Sequence, residues 1–247
     1  MSGQVTWAVA LRVLLQLRRD HRTVAMMLVV PCVLLTLLWW MFDSTSNGVV
    51  FNRFGPPLLA MFPFIVMFLI TSVATLRERS SGTMERLLSM PMGKLDLLLG
   101  YAIAFGVMAL IQAVLAVALT VGLLGLDLAG PVWALGVVAV LDAVLGSTLG
   151  LFVSAFASTE FQAVQFMPAF VLPQVLLCGL FVGREAMPGV LGGVSDVLPL
   201  TYAVDAMQRV QESTGLTAGF WGDLVVIALF VLASVGLGAV TLRRRTP

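Results

Sequence analysis

The chain has 247 residues, 60% hydrophobic and 11% charged, with a net charge of +1. A soluble domain carries about 25% charged residues, so this composition and a mean hydropathy of +1.03 exclude one, and the near-neutral balance gives no field for nucleic acid. The solvent to reason about is lipid. Cys32 and Cys178 sit in apolar segments and the single histidine, His21, in a basic run; no disulfide framework or metal site is expected.

In chain order, QVTWAVALRVLLQLRRD (4–20) comes first, with helical period. Trp7, Leu11, Leu14 and Leu15 share one face and Arg12, Gln16 and Arg19 another. Tryptophan and arginine suit the headgroup layer, so an amphipathic interfacial helix is expected. Charge-free windows of span length follow at 23–42, 54–76 and 97–126, at 128–159 (broken only by Asp142), and at 161–183 and 224–242. Backbone groups in lipid must pair internally, so all six are expected to be helices. Eleven of the fourteen Lys and Arg residues lie in the N-terminal segment, in 77–94 and at the C-terminus, against Arg53, Arg184 and Arg209 elsewhere. Both termini and the 77–94 loop are therefore expected in the cytoplasm. The first apolar stretch is span-length and lacks a convincing cleavage site, so no signal peptide is expected.

Between the second and third windows lies RERSSGTMERLLSMPMGK (77–94). Gly82 permits a turn, Thr83 opens a short helix over 83–90, and Pro91 stops it. Met84, Leu87 and Leu88 form one face; Glu85, Arg86 and Ser89 form the other. Two turns are too short to be stable alone. The segment is read either as a plug seated in a groove on a cytoplasmic partner or as a polar connector.

Inside the fourth window, Asp142 lies in a costly position and must face protein, water or a proton. Gln112 in the third window is a candidate partner, and Gly146, Ser147, Thr148 and Gly150 allow close helix packing. Pro168 and Pro173 kink the fifth window, which carries Gln162, Gln165 and Gln174. Asp142, Gln112, Gln165 and Gln174 are read either as interhelical bonding groups or as the lining of a translocation path. The loop over 184–222 is long for a connector and its PGVLGGVSDVLP run is too broken to span. Thr201 is expected to cap a helix after Pro199, with Tyr202, Ala206, Met207 and Val210 apolar and Asp205, Gln208, Arg209 and Gln211 polar. A membrane-embedded hairpin or external lid over 184–212 is expected. The sequence has no G-x-x-x-x-G-K-[ST] loop, H-E-x-x-H, G-x-S-x-G or catalytic cluster, so no enzyme activity is expected of the chain itself.

RERSSGTMERLLSMPMGKLDLLLGY resembles the stretch after the second span of type-2 (ABC-2) ABC transporter permeases, and LPLTYAVDAMQRV resembles their segment before the last span. Pro168 and the Cys178–Phe181 run also sit where that family has its pattern, and the likeness covers essentially the whole chain, nearest the daunorubicin-resistance and nodulation-type export permeases. Leu198 stands where the family has Asn, and Arg209 comes one residue late, which leaves substrate details open. The resemblance implies an all-α membrane protein, one transmembrane unit over 1–247. It implies a homodimer or heterodimer of permease chains in the cytoplasmic membrane. Two separate ATP-binding subunits would hold the ATP and Mg, and this chain would hold no cofactor. Arg77, Glu78, Arg79, Gly82, Thr83, Met84, Glu85, Arg86, Leu87, Leu88 and Pro91 would couple to the ATPase, and Pro199, Tyr202, Asp205 and Arg209 would belong to the external lid. The cargo would be a hydrophobic drug, lipid or glycan moved outward along spans two and five. A proton-coupled secondary transporter using Asp142 and a non-transporting scaffold are the competing functions.

Overall fold

The computed structural model describes residues 2–46, 48–81 and 93–241. The coupling segment expected at 83–90, with Gly82 and Pro91, lies outside them. Among the described residues every regular element is helical: α1 (Gly3–Arg19), α2 (His21–Ser46), α3 (Val49–Ser80), α4 (Lys94–Gly122), α5 (Val132–Ser154), α6 (Glu160–Leu177), a 3-10 turn (Arg184–Ala186), α7 (Gly189–Ser195), α8 (Pro199–Glu212) and α9 (Ala218–Thr241). Five of these, α2, α3, α4, α5 and α9, are long and apolar enough to cross a membrane. The window at 161–183 is helical only over the 18 residues of α6, because the chain turns at Gly179, whose φ of 91° is left-handed. The third window likewise stops at Gly122, before Gly125 at φ 67°, and the fourth narrows to Val132–Ser154.

α3 and α5 form the centre. In each, 61% of the most apolar stretch is buried, against 17% in α2 and α9, which lie at the periphery. Gly146 and Gly150, one turn apart on α5, set the seam. A Cβ on Gly146 would sit 2.5 Å from the Phe64 carbonyl oxygen, and one on Gly150 would collide with the Phe68 carbonyl. The two helices run in the same direction with their backbones in near contact, where van der Waals packing between small residues replaces the hydrophobic effect as glue.

At one end α1 docks on the start of α4. Gly100 makes room: a Cβ there would lie 2.6 Å from Val9 Cβ and 3.0 Å from the Thr6 carbonyl. Asp96 accepts hydrogen bonds from the Ser2 N–H (3.2 Å), the Thr6 hydroxyl (3.3 Å) and the Gly93 N–H (3.1 Å). The buried residues of α1 are Val9, Ala10, Val13 and Leu17, while Trp7, Leu11 and Leu15 are exposed. Three of the four residues of the expected apolar face are thus left open, Leu14 packs partly against the core, and a second stripe is buried in protein. Asp20 caps α2, accepting from the Thr23 N–H (3.1 Å) and hydroxyl (2.6 Å).

At the opposite end α8 sinks Leu200, Ala203, Val204, Ala206, Met207 and Val210 into the main core. Pro199 is its first residue and Leu198 its N-cap. Thr201 therefore does not cap the helix. It is buried inside it, and its hydroxyl donates to the Ser195 carbonyl at 3.0 Å.

Candidate functional site

Three consecutive residues at the end of α3 hold four other elements. The Arg77 guanidinium forks onto Glu160, with Nε to Oε1 and Nη2 to Oε2 both at 3.0 Å, tying α3 to the first turn of α6. Thr159 caps that turn, its hydroxyl accepting from the Gln162 N–H at 3.1 Å, and the Gln162 amide accepts from the Ser158 N–H at 2.8 Å. Glu78 turns to the other side. Tyr101 of α4 donates its hydroxyl to it, Arg12 of α1 approaches to 3.5 Å, and Gln16 adds a side-chain bond. Arg79 donates to the Ser154 carbonyl at 2.9 Å and to the Ala157 carbonyl. A cation on the last carbonyls of α5 satisfies orphan acceptors and opposes the negative end of the helix dipole. So the Arg-Glu-Arg run, separated by Ser80, Ser81 and Gly82 from the helix expected at 83–90, grips α1, α4, α5 and α6.

The polar residues of the membrane interior behave differently from one another. Asp142 and Gln112 are fully buried, and neither the carboxylate oxygens of the one nor the amide atoms of the other find a hydrogen-bond partner. The hydroxyls of Thr71, Ser72 and Thr75 on α3 share that condition. Unpaired buried polar groups cost free energy and mark places that call for explanation. Gln174 is satisfied: it donates to the Phe170 carbonyl at 3.0 Å and accepts from the Leu200 N–H at 3.3 Å, which fastens α6 to α8. Gln165 is exposed on α6.

Of the four expected lid residues, Tyr202 and Asp205 share one network, Arg209 pairs separately, and Pro199 opens their helix. Arg184 donates to Asp205 at 2.5 Å and also to Asp196, and its guanidinium lies 5.7 Å from the centre of the Tyr202 ring. The Tyr202 hydroxyl donates to the Asp196 carbonyl at 2.7 Å. Burial pushes the Asp205 carboxyl above its ordinary value, against the pull of Arg184. Arg209 donates to Asp223 of α9 at 2.9 Å, and Gly219 lets it through, since a Cβ there would meet the Arg209 Nη1 at 2.8 Å. At the far end of α8, Gln211 donates to the Asn52 carbonyl, and Asn52 and Asp127 exchange hydrogen bonds of 3.0 and 3.1 Å. The Gly130 N–H donates to the Val210 carbonyl at 2.9 Å. Asp96, Glu160, Arg184 and Asp223 were not singled out by sequence reasoning. Only Asp96 left a local signal, an acid three residues into a helix that opens at Gly93.

An all-helical bundle with five helices of membrane-crossing character, one charged hub and one clamped polar cap defines a multi-pass membrane protein. The chain belongs to the ABC-2 type transporter family, whose model matches residues 4–211. Among curated relatives it is similar to the "Probable multidrug ABC transporter permease YbhR" of Escherichia coli (strain K12), 26% identical over 190 residues, covering 77% of this chain and 51% of the relative. YbhS of the same strain, described in the same words, is 28% identical over 195 residues with the same coverage. The "ABC transporter G family member 20" of Dictyostelium discoideum is 20% identical over 204 residues, 82% of this chain and 28% of the relative. The chain spans about half the length of the first two of these relatives.

Proposed function

We propose that the chain is the membrane-spanning permease of an ATP-driven exporter, with two separate ATP-binding subunits docked at the coupling helix expected at 83–90 and a second permease chain beside it. The observation that carries this is the Arg77–Glu78–Arg79 turn. It leads directly into the docking segment and is bonded to α1, α4, α5 and α6, so a push on that segment reaches most of the bundle. Family membership supports the same reading.

In this reading α6 is the sixth span. Its 18 residues rise about 27 Å, against a hydrocarbon core of about 30 Å. The N-terminal segment, 77–94 and the C-terminus, which together carry eleven of the fourteen Lys and Arg residues, face the cytoplasm. Trp7, Leu11 and Leu15 lie in the lipid of that leaflet, and α7 and α8 form the external lid. Asp142, Gln112, Gln165 and Gln174 belong to the translocation path, and the cargo is a hydrophobic drug, lipid or glycan-type molecule. The cytoplasmic membrane is its place, and ATP with Mg is bound by the partner subunits.

The test is Leu87→Asp with Leu88→Asp. The ATPase should no longer co-purify while the spans stay inserted. Co-purification and transport at the original level would overturn the assignment. One observation favours a second reading, the fully buried and unpaired Asp142, which fits a proton-coupled carrier. Asp142→Asn decides there: an unchanged transport rate and pH profile ends the proton-coupled reading.

A further inference from the structure

A cavity of about 580 Å³ lies at the α8 end, between the start of α3, the turn from Gly179 to Gly183 and the last turns of α8. Two of its polar lining residues are spoken for: Gln211 donates to the Asn52 carbonyl, and the Asn52 amide donates to Asp127. Three others are not. Arg53 comes from α3, and Gln208 and Glu212 stand one turn apart on α8. Among the described residues none of the three makes a hydrogen bond or an ion pair, and Arg53 rests only against the Phe54 ring, 5.8 Å from its centre.

Each of the two charges sits where its own helix opposes it. Glu212 is the last residue of α8, beside the carbonyls that form the negative pole, and Arg53 lies in the second turn of α3, close to the positive pole. Arg209, the basic residue in the last turn of α8, is taken up by Asp223 and leaves Glu212 without a cation. One cavity thus presents an unanswered positive charge on one wall and an unanswered negative charge on another. Its mouth is greasy: Val49 and Phe181 line it and are exposed. At the same end Trp40, Trp133 and Trp221 are exposed near the termini of α2, α5 and α9, and tryptophans at helix ends mark the headgroup layer. The volume falls within the roughly 300–1,000 Å³ of small-molecule pockets, which gives room for a headgroup and leaves lipid chains outside.

We infer that this cavity binds a zwitterion carrying a phosphate and a primary ammonium, either the head of an ethanolamine phospholipid or the free phosphoester. The phosphate pairs with Arg53. The ammonium pairs with Glu212 and donates to the Gln208 carbonyl, and the chains of a lipid stay in the leaflet beside Val49 and Phe181. A choline head matches the charges, but its quaternary nitrogen has no proton to donate, so the site favours the primary amine. The inference goes beyond the permease reading and does not depend on it. It needs only that this end of the bundle lies in a headgroup layer.

The experiment uses phosphatidylethanolamine carrying a photoactivatable diazirine near the top of one acyl chain, with the matching phosphatidylcholine as its counterpart. Each is added in trace amount to the full chain in phosphatidylglycerol nanodiscs without ATP, and labelled peptides are located by mass spectrometry. The ethanolamine probe should label the stretches containing Val49 and Phe181, and the choline probe several-fold less. Glu212→Gln should lower ethanolamine labelling by roughly two- to fivefold, the range for an exposed ion pair, and bring the two probes to one level. Arg53→Gln should lower both probes, since both carry the phosphate. Both side chains are exposed, so neither change takes a contact from the core. Excess glycerophosphoethanolamine separates the two sources: suppression of the label shows a site that takes the free phosphoester from water, and persistence of the label shows a site for the lipid. Absence of label at those stretches, equal labelling by the two probes in the unaltered chain, or undiminished ethanolamine labelling in Glu212→Gln contradicts the proposal. No ATP or partner subunit takes part, so a failure of the permease reading leaves this result untouched, and the converse also holds.

Discussion

The two ends of the bundle are held together in different ways. At the α1 end, three neighbouring side chains on one turn of α3 reach four different elements, and the Arg77–Glu160 pair among them is half exposed, at 59% and 49%. At the α8 end, the bonds are spread over many positions and both ends of the helix: Arg184 with Asp205, Tyr202 with Asp196, Arg209 with Asp223, Gln211 with Asn52. Spread clamps resist displacement because losing one leaves the others. Bonds that converge on a single turn make that turn a lever. In the proposed permease, the first end is the one moved and the second the one held.

The largest effect should come from the seam that joins the two ends. Gly150→Val puts branched carbons against the Phe68 carbonyl, and over-packing of this kind costs about 1–3 kcal/mol or more; thermal unfolding in detergent should show the loss at both ends alike. Arg184→Ala comes next. It leaves Asp205, already raised by burial, without its guanidinium, and should cost about 1–3 kcal/mol, with protease sensitivity appearing first around residues 184–212. Since the Asp205 carboxyl lies above its ordinary value, its contribution to stability is present at pH below that ordinary value and fades as pH rises through the raised one. Arg184→Ala should steepen that fall by moving the carboxyl higher still. Asp20→Ala removes the cap of α2 and should cost about 1 kcal/mol. The Asp20 carboxyl is held low by Thr23, so its contribution is present above the ordinary carboxylate value and lost as pH falls through the lowered one. Smallest in stability is Arg77→Ala. An exposed pair of this kind contributes about 1 kcal/mol or less, yet the lever account expects it to weaken transport.

The contrast between the ends also separates what sequence could and could not tell. Charge-free windows located every long helix, because lipid admits no unpaired backbone and charges avoid its centre. They fell short of both ends of α2 and α3 and overran the ends of α4, α5 and α6, since windows stop at charges whereas α4 and α6 stop near glycines with left-handed backbone, Gly125 and Gly179. Periodicity found α1 within one residue at each end but chose the stripe of Trp7, Leu11, Leu14 and Leu15, of which only Leu14 packs against the core. A helix wedged between protein and lipid has two apolar stripes, and spacing alone cannot rank them. The glycines at 146 and 150 were legible as a packing surface; their seats on Phe64 and Phe68 were not. The long-range ion pairs and hydrogen bonds were hidden for a plainer reason. Arg77 and Glu160 are 83 residues apart, Ser2 and Asp96 are 94 apart, and no local pattern links such partners. Thr201 was misread because a hydroxyl beside a proline suits a cap, while Pro199 itself had already taken the first helical position.

The central claim is that the last turn of α3 carries force from the coupling helix expected at 83–90 into the bundle. The direct test is the complex with its ATPase in proteoliposomes, comparing Arg77→Gln with Arg79→Gln against the unaltered chain. Transport per ATP hydrolysed should fall by roughly three- to thirtyfold, the range for loss of a coupling contact, while the ATPase still binds and turns over. Unchanged transport per ATP with the ATPase bound would contradict the claim.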